Sequence, residues 1–204
     1  MEQPWLKHAE LVGDAVLLRP VGAADVSTCF DLVHGQREIT DWLIWDGPEA
    51  IEEIAPWYLT WPLGDPTRGC DYHFAIVDRS DGAFSGSISL RFHDHTFQGD
   101  LGYWVGLERQ GRGLASEAIQ LITWLGFEHL AAELLYAECF EGNAGSQRVL
   151  ERGGYELDPA GETSVQKRGR VVRTHFYAYS RSTWLRAERP GKPGVVRVVP
   201  GGAP

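Results

Sequence analysis

Hydrophobic and polar positions change their spacing several times along the 204-residue chain, and each change marks an element. Ala15 to Arg19 is a short apolar run stopped by Pro20, which predicts a first strand. Gly22 to Gly35 predicts a helix with Asp25 near its start. Pro48 to Leu59 predicts a second, opened by Pro48 and the acids Glu49, Glu52 and Glu53, with Pro56 set to kink or end it. Tyr72, Phe74 and Ile76 alternate with their neighbours, as do Ile88, Leu90 and Phe92, and Ser80-Asp81-Gly82 lies between them, so an antiparallel hairpin is expected. Gln98 to Gly106 predicts the next strand. Leu114, Ala118, Leu121, Ile122 and Leu125 then fall at helical spacing, and a long amphipathic helix is expected from Gly113. Leu134 to Phe140 predicts a strand, and Asn143 opens a short helix ended by Gly153-Gly154. Tyr155 to Leu157 and Val171 to Tyr179 complete the strands. Consecutive strands followed by strand–helix–strand–helix–strand predict a mixed α/β fold.

The length suits one domain, expected over residues 1–185. Arg186 to Pro204 holds Pro190, Pro193, Pro200 and four glycines, and is expected to be a flexible tail. No apolar run approaches membrane-spanning length, and Met1 to Glu10 lacks a basic-then-apolar leader pattern, so a cytoplasmic protein with no membrane partner is expected. Three dispersed cysteines, Cys29, Cys70 and Cys139, fit a reducing compartment better than a disulfide framework. A formal net charge of -9 argues against a nucleic-acid partner and favours cationic ones.

The informative junction is Val105 to Ala115, where a strand ends, a glycine-rich turn follows and a helix starts. A helix N-terminus exposes unpaired amides and the positive end of the helix dipole, and Gly111 and Gly113 let an anion approach that backbone. A P-loop is excluded because no Gly-Lys-Ser/Thr stands at the helix start. A dinucleotide fingerprint is excluded because Ser116 occupies the place of the third glycine. His93-Asp94-His95 lacks the matching ligand pair of a metal site, and no metal is expected.

Gln110-Gly111-Arg112-Gly113-Leu114-Ala115 resembles the acyl-CoA signature of the GNAT superfamily of N-acyltransferases: Gln or Arg, two residues, Gly, one residue, Gly or Ala. Asn143-Ala144-Gly145-Ser146-Gln147-Arg148, with Gly154-Tyr155 behind it, resembles the Asn-x-x-Ser-x-Arg helix of the same superfamily. Leu101-Gly102-Tyr103-Trp104, Ser116-Glu117-Ala118 and Tyr177-Ala178-Tyr179 with Trp184 resemble its Rim-type ribosomal-protein N-terminal acetyltransferase branch. The resemblance implies a largely antiparallel sheet splayed between its fourth and fifth strands and flanked by helices. It also implies acetyl-CoA as cosubstrate and an amine acceptor, a protein N-terminus or a small amine, with a homodimer left open.

The same resemblance distributes roles. Gln110, Gly111, Arg112, Gly113, Leu114 and Ala115 would hold the CoA pyrophosphate, with Arg112 and Arg148 on the adenosine phosphates. Val105 and Leu107 would pair with the pantetheine arm by their backbone, as an added strand does. Asn143 would bond the pantetheine, or cap its helix, or both. Ser146 would face the sulfur and could protonate the leaving thiolate. Asp100 stands where relatives carry a base, with Glu117 and His73 as rivals. Trp42, Trp45, Trp57, Tyr58 and Trp61 form a dense aromatic group; Trp42 and Trp45, with His73, are the expected acceptor contacts, and Trp57 fits core packing. Two other classes compete: an acyl-CoA-binding module without turnover, and a nucleotide-phosphate enzyme built on the same turn.

Overall fold

The hairpin expected between Tyr72 and Phe92 forms the middle of the sheet. The computed structural model describes residues 10–56, 70–93, 97–187 and 198–199; Trp57, Tyr58, Trp61, Asp94 and His95 lie outside them. Strand β1 (Glu10–Val12) pairs with β2 (Val16–Pro20), β2 with β3 (Cys70–Asp78), β3 with β4 (Ala83–Phe92) and β4 with β5 (Gln98–Val105), all antiparallel. The register sorts the side chains into rows. Tyr72, Leu90 and Leu101 stand abreast, as do Phe74, Ile88 and Tyr103. Because neighbours alternate faces, the rows between them are polar: His73, Ser89 and Gly102, and then Asp71, Arg91 and Asp100. One face of the sheet is therefore core and the other can carry chemistry.

Helices cover both faces. Helix α1 (Asp25–Val33) buries Cys29 and Val33 with Ile54, against Phe84 and Trp104 on the polar-row side. A single turn, α2 (Arg37–Thr40), follows it. On the apolar side, α3 (Leu114–Trp124) buries Leu114, Ala118, Leu121 and Ile122 into the main core with Phe74, Ile88, Leu90 and Leu101. Each of the Leu, Ile and Phe side chains contributes about 1.5–3 kcal/mol of burial. Leu125–His129 winds on as a π-helical turn.

Beyond α3 the chain returns as β6 (Leu134–Phe140), parallel to β5 over Gln98–Asp100 and Leu134–Tyr136 and unpaired with it from there on. The expected splay is present, between the fifth and sixth strands rather than the fourth and fifth because the short β1 precedes them, and it begins at Asp100. Helix α4 (Ala144–Arg152) follows, and then β7 (Glu156–Leu157), β8 (Thr163–Lys167) and β9 (Arg170–Ser180), the last pairing with all three of β6, β7 and β8. Helix α5 (Arg181–Arg186) closes this half.

Two expectations are corrected. The helix expected over Pro48–Leu59 starts later: Ile51–Glu53 forms a 3-10 turn, Ala55 and Pro56 are helical, and Trp57 to Leu59 lie outside the described residues. Pro48 and Ile54 are buried there, and Pro56, which has no N–H to donate, stands in the first helical turn, where no intrahelical donor is needed. Within the expected flexible tail, Val198–Val199 forms an edge strand, β10, on β1.

Candidate active site

The splay opens a cleft of about 1100 Å³ that passes from the α3–α4 side of the sheet to the α1–α2 side. At one end β5 stops at Val105. A 3-10 turn, Leu107–Arg109, leads to Gly111 (φ 73°) and Gly113 (φ 81°), both in the left-handed region that glycine enters without steric cost. Gly113 precedes α3, and no side chain caps that helix. Among the described residues, the amides of Gly111, Arg112 and Gly113 meet no acceptor in the chain, and Leu114 and Ala115 lie in the first helical turn, whose donors have no intrahelical partner. Gln110 is corrected: its amide donates to the Leu107 carbonyl at 3.2 Å and its Nε2 to the Val105 carbonyl at 3.1 Å, so it ties the turn to the strand end and offers no free amide to a diphosphate. A diphosphate fits this cluster of inward amides at a positive helix end.

The edge of β5 is open beside it. Gly106 N–H bonds the Ser85 carbonyl at 2.9 Å, so alternation turns the N–H and C=O of Val105 and Tyr103 to the other edge, where β6 has departed. An extended amide-bearing arm can pair there. Leu107 is corrected: it sits in the 3-10 turn, its carbonyl accepts from Gln110 N–H at 3.2 Å, and it does not line the cleft.

Helix α4 supplies the facing wall. Asn143 caps it, its Oδ1 accepting from Ser146 N–H at 3.1 Å, so the cap reading holds. The Ser146 hydroxyl lies 2.8 Å from the Tyr103 hydroxyl, a bond that spans the splay from β5 to α4. Burial raises the Tyr103 phenol well above its ordinary range, so it stays protonated and can only act through its hydrogen bond. Burial likewise pushes the Cys139 thiol, beside Ser146, up to about 11. Arg148 and Arg152, one turn apart, both line the cleft and are paired with no acid among the described residues. Arg112 is corrected: its guanidinium leaves the cleft for Asp78 at 2.8 Å, and Arg109 is held by Asp81 at 2.5 Å. The Ser80 hydroxyl and amide, then Arg112, keep Asp78 below the usual carboxylate range.

At the other end the polar rows face α1 and α2. Asp100 meets Arg91 at 2.6 Å and His93 Nε2 at 3.4 Å, so its carboxylate is committed where a base was expected. His73 lines the cleft, and burial, with Arg91 second, drives its pKa down to about 2. It is therefore neutral and a very weak base. Glu117 is corrected outright: its carboxylate accepts from the Asp14 and Ala15 amides in the β1–β2 turn, the latter at 2.9 Å, away from the cleft. Sequence reasoning missed Glu138. It stands on β6 across the splay, and one of its oxygens accepts from Thr163 and Thr174 at 3.0 and 2.8 Å. Trp42 and Trp45 line this end, half-exposed. The described residues hold no group of three or more metal-ligating side chains and no helix long and apolar enough to cross a membrane.

A cleft between diverging parallel strands, with a glycine turn and helix N-terminus at its mouth, defines an acyl-CoA-binding class of fold. The family description "Acetyltransferase (GNAT) domain" matches residues 15–156, and the chain belongs to this family of acetyl-CoA-dependent acetyltransferases. It is 30% identical over 104 residues to probable N-acetyltransferase YjcK of Bacillus subtilis, spanning 48% of this chain and 56% of that protein, little more than half of it. Its fold resembles spermidine N-acetyltransferase from Vibrio cholerae, solved with CoA and spermine, at TM-score 0.71 and 17% identity over 84% of this chain and 99% of that one. It also resembles Mycobacterium smegmatis RimJ, solved with CoA-disulfide, at TM-score 0.67 and 19% identity over 85% and 90%.

Proposed function

We propose that the protein moves the acetyl group of acetyl-CoA onto a primary amine by direct attack. The observation that carries this reading is the coincidence of three features on one cleft: amides at Gly111 to Gly113 and an edge at Tyr103 and the Val105 N–H that meet no acceptor among the described residues, and the cations Arg148 and Arg152, which meet no acid among them. Acetyl-CoA supplies the activated thioester. Gly111, Gly113, Leu114 and Ala115 hold its diphosphate by backbone N–H, Val105 pairs with the pantetheine arm, and the free side-chain NH2 of Asn143 bonds it. Arg148 takes the adenosine phosphates, and Arg152 joins it in place of Arg112.

The remaining residues handle protons. An amine attacks only when neutral, so its proton must be taken up. Asp100 is held by Arg91, and Asp46 lies 2.6 Å from Lys167. Glu138 carries only hydroxyl donors on one oxygen, and we assign it the proton, directly or through water. Ser146, held by Tyr103 through its hydroxyl and its carbonyl, is assigned the proton given to the leaving sulfur. Positioning of two reactants supplies most of the remaining acceleration. Buried thiols at Cys29 and Cys139 support the cytoplasm as its location.

The acceptor divides between a polyamine, as named for the Vibrio cholerae spermidine N-acetyltransferase, and a protein N-terminus, as the Rim-type motifs of the sequence imply. Isothermal calorimetry with acetyl-CoA tests the donor. Release of CoA thiol with spermidine and with a hexapeptide bearing a free N-terminal serine tests the reaction. No binding of acetyl-CoA overturns the reading. The engagement of Asp100 by Arg91 favours a second reading, a CoA-binding module without turnover, and tight binding with no acetylated product from either amine would select it.

A further inference from the structure

The β8–β9 hairpin lies on the far side of β6 from the glycine turn, yet its tip reaches the acceptor end of the cleft. Lys167 and Arg170 face each other in register, and the two residues between them, Arg168 and Gly169, have φ of 47° and 75°. Positive φ at both positions matches the twist of a tight hairpin turn. The turn sends Lys167 inward until it is 5% exposed. Its Nζ donates to the Trp45 carbonyl at 2.7 Å and meets the Asp46 carboxylate at 2.6 Å. Arg168 Nη2 donates to Thr40 Oγ1 at 3.1 Å and to the Asp46 carbonyl at 2.9 Å, and its Nε lies 3.1 Å from Asp41.

These contacts span the segment from Thr40 to Asp46, which carries Trp42 and Trp45. That segment follows a single helical turn and contributes no residue to either core cluster. Trp42 is 42% exposed and Trp45 37% exposed, so packing alone does not fix the indoles. A buried ammonium is stable only when its partners are held in place, so Lys167 and the segment order each other.

We propose that Lys167 and Arg168 are positioning residues for acceptor recognition. The hairpin tip holds Thr40 to Asp46 so that Trp42 and Trp45 face the incoming amine, while the acetyl-CoA end is left untouched. This rests on the acetyltransferase reading above. It gives β8 and β9, which follow the residues matched by the family description, a share in choosing the substrate.

The test compares Lys167→Met and Arg168→Gln with the unsubstituted protein. Arg168→Gln keeps the turn and the buried lysine, so it remains informative if Lys167→Met folds poorly. Hydrogen exchange read by mass spectrometry should quicken over residues 37–47 and stay unchanged over residues 107–117. With spermidine or the N-terminal-serine hexapeptide, whichever the unsubstituted protein turns over faster, the amine KM should rise about tenfold. The acetyl-CoA dissociation constant by calorimetry should stay within about twofold. Unchanged exchange over residues 37–47, an unchanged amine KM, or a parallel loss of acetyl-CoA affinity overturns the proposal. Failure of the unsubstituted protein to bind acetyl-CoA strikes the functional reading instead, and turnover of neither amine overturns both.

Discussion

Tyr103 and Ser146 place the tightest demand on single atoms. The phenol keeps its proton at neutral pH and shares a 2.8 Å hydrogen bond with the Ser146 hydroxyl in which either oxygen can donate, while it also donates to the Ser146 carbonyl at 3.3 Å, so it holds the serine in place. Ser146→Ala should lower kcat about tenfold or more with the acetyl-CoA KM little changed. Tyr103→Phe should cost about fivefold to tenfold, the worth of one hydrogen bond, and the double variant should be no worse than Ser146→Ala. Full additivity in steady-state kinetics would separate the two residues. Glu138→Gln should depress kcat and make it recover as pH rises, since hydroxide or free amine then replaces the lost base. His73 makes a different prediction, on stability. Its folded pKa of about 2 lies below the unfolded value of 6.5, so the unfolded chain takes the proton first as pH falls. Stability should drop below about pH 6.5 by up to ~1.4 kcal/mol per unit. His73→Gln should flatten the fall between pH 7 and 5 in urea unfolding. The same imidazole shows why some roles were legible in the chain and others were not. Gln110 and Asn143 bond groups within a few residues of themselves, so that local geometry is visible in sequence, whereas the Ser146 partner, Tyr103, is brought up by folding. Asp100, Arg112 and Glu117 were misjudged because their real partners, Arg91, Asp78 and the Asp14–Ala15 amides, are brought up by folding.

In the proposed function the donor end depends on the glycine turn before α3. Gly113 holds φ 81°, and a Cβ built there meets nothing within 4 Å. Gly113→Ala should therefore fold, at a cost of ~1–2 kcal/mol from the left-handed backbone alone. Acetyl-CoA affinity should fall much further than stability, because the methyl group intrudes where the diphosphate approaches the amides. Calorimetry beside thermal melting separates the two effects, and equal affinity in both proteins would remove the turn from the site. Elements with a clear period were legible: the hairpin of β3 and β4, β6 to the residue, and α3, whose spaced apolar positions are all buried. Those without one were not. β1 is three residues long, and β8 runs Thr-Ser-Val-Gln-Lys with a buried lysine at its end, so neither offers apolar alternation. Over Pro48–Leu59 the start signals at Pro48 and Glu49 precede a 3-10 turn at Ile51–Glu53, and α-helical geometry is entered only at Ala55, so capping residues mark where a helix could begin without fixing its first residue.

At the scale of the whole molecule, the sheet is two units joined by a short seam. β1 to β5 form one and β6 to β9 the other, and β5 meets β6 only over Gln98–Asp100 and Leu134–Tyr136. The mixed order of strands made this architecture readable, but the point of divergence could not be read, since nothing in the local pattern of β5 distinguishes its paired half from its open one. A ligand lodged in the splay touches both units, and one that binds only the folded chain stabilises it by mass action. At 100-fold excess over its dissociation constant, acetyl-CoA should add ~2.7 kcal/mol. That corresponds to a rise of about 5–10 °C in Tm for a chain of this size. CoA should give a comparable rise, because the diphosphate and pantetheine contacts lie in the described cleft whether or not an acetyl group is present. ATP and NAD carry a diphosphate but no pantetheine arm to pair with Val105, so their effect should be much smaller at equal concentration. Equal protection by ATP or NAD would mean that the glycine turn alone selects the ligand, and the open edge of β5 would then have no part in binding.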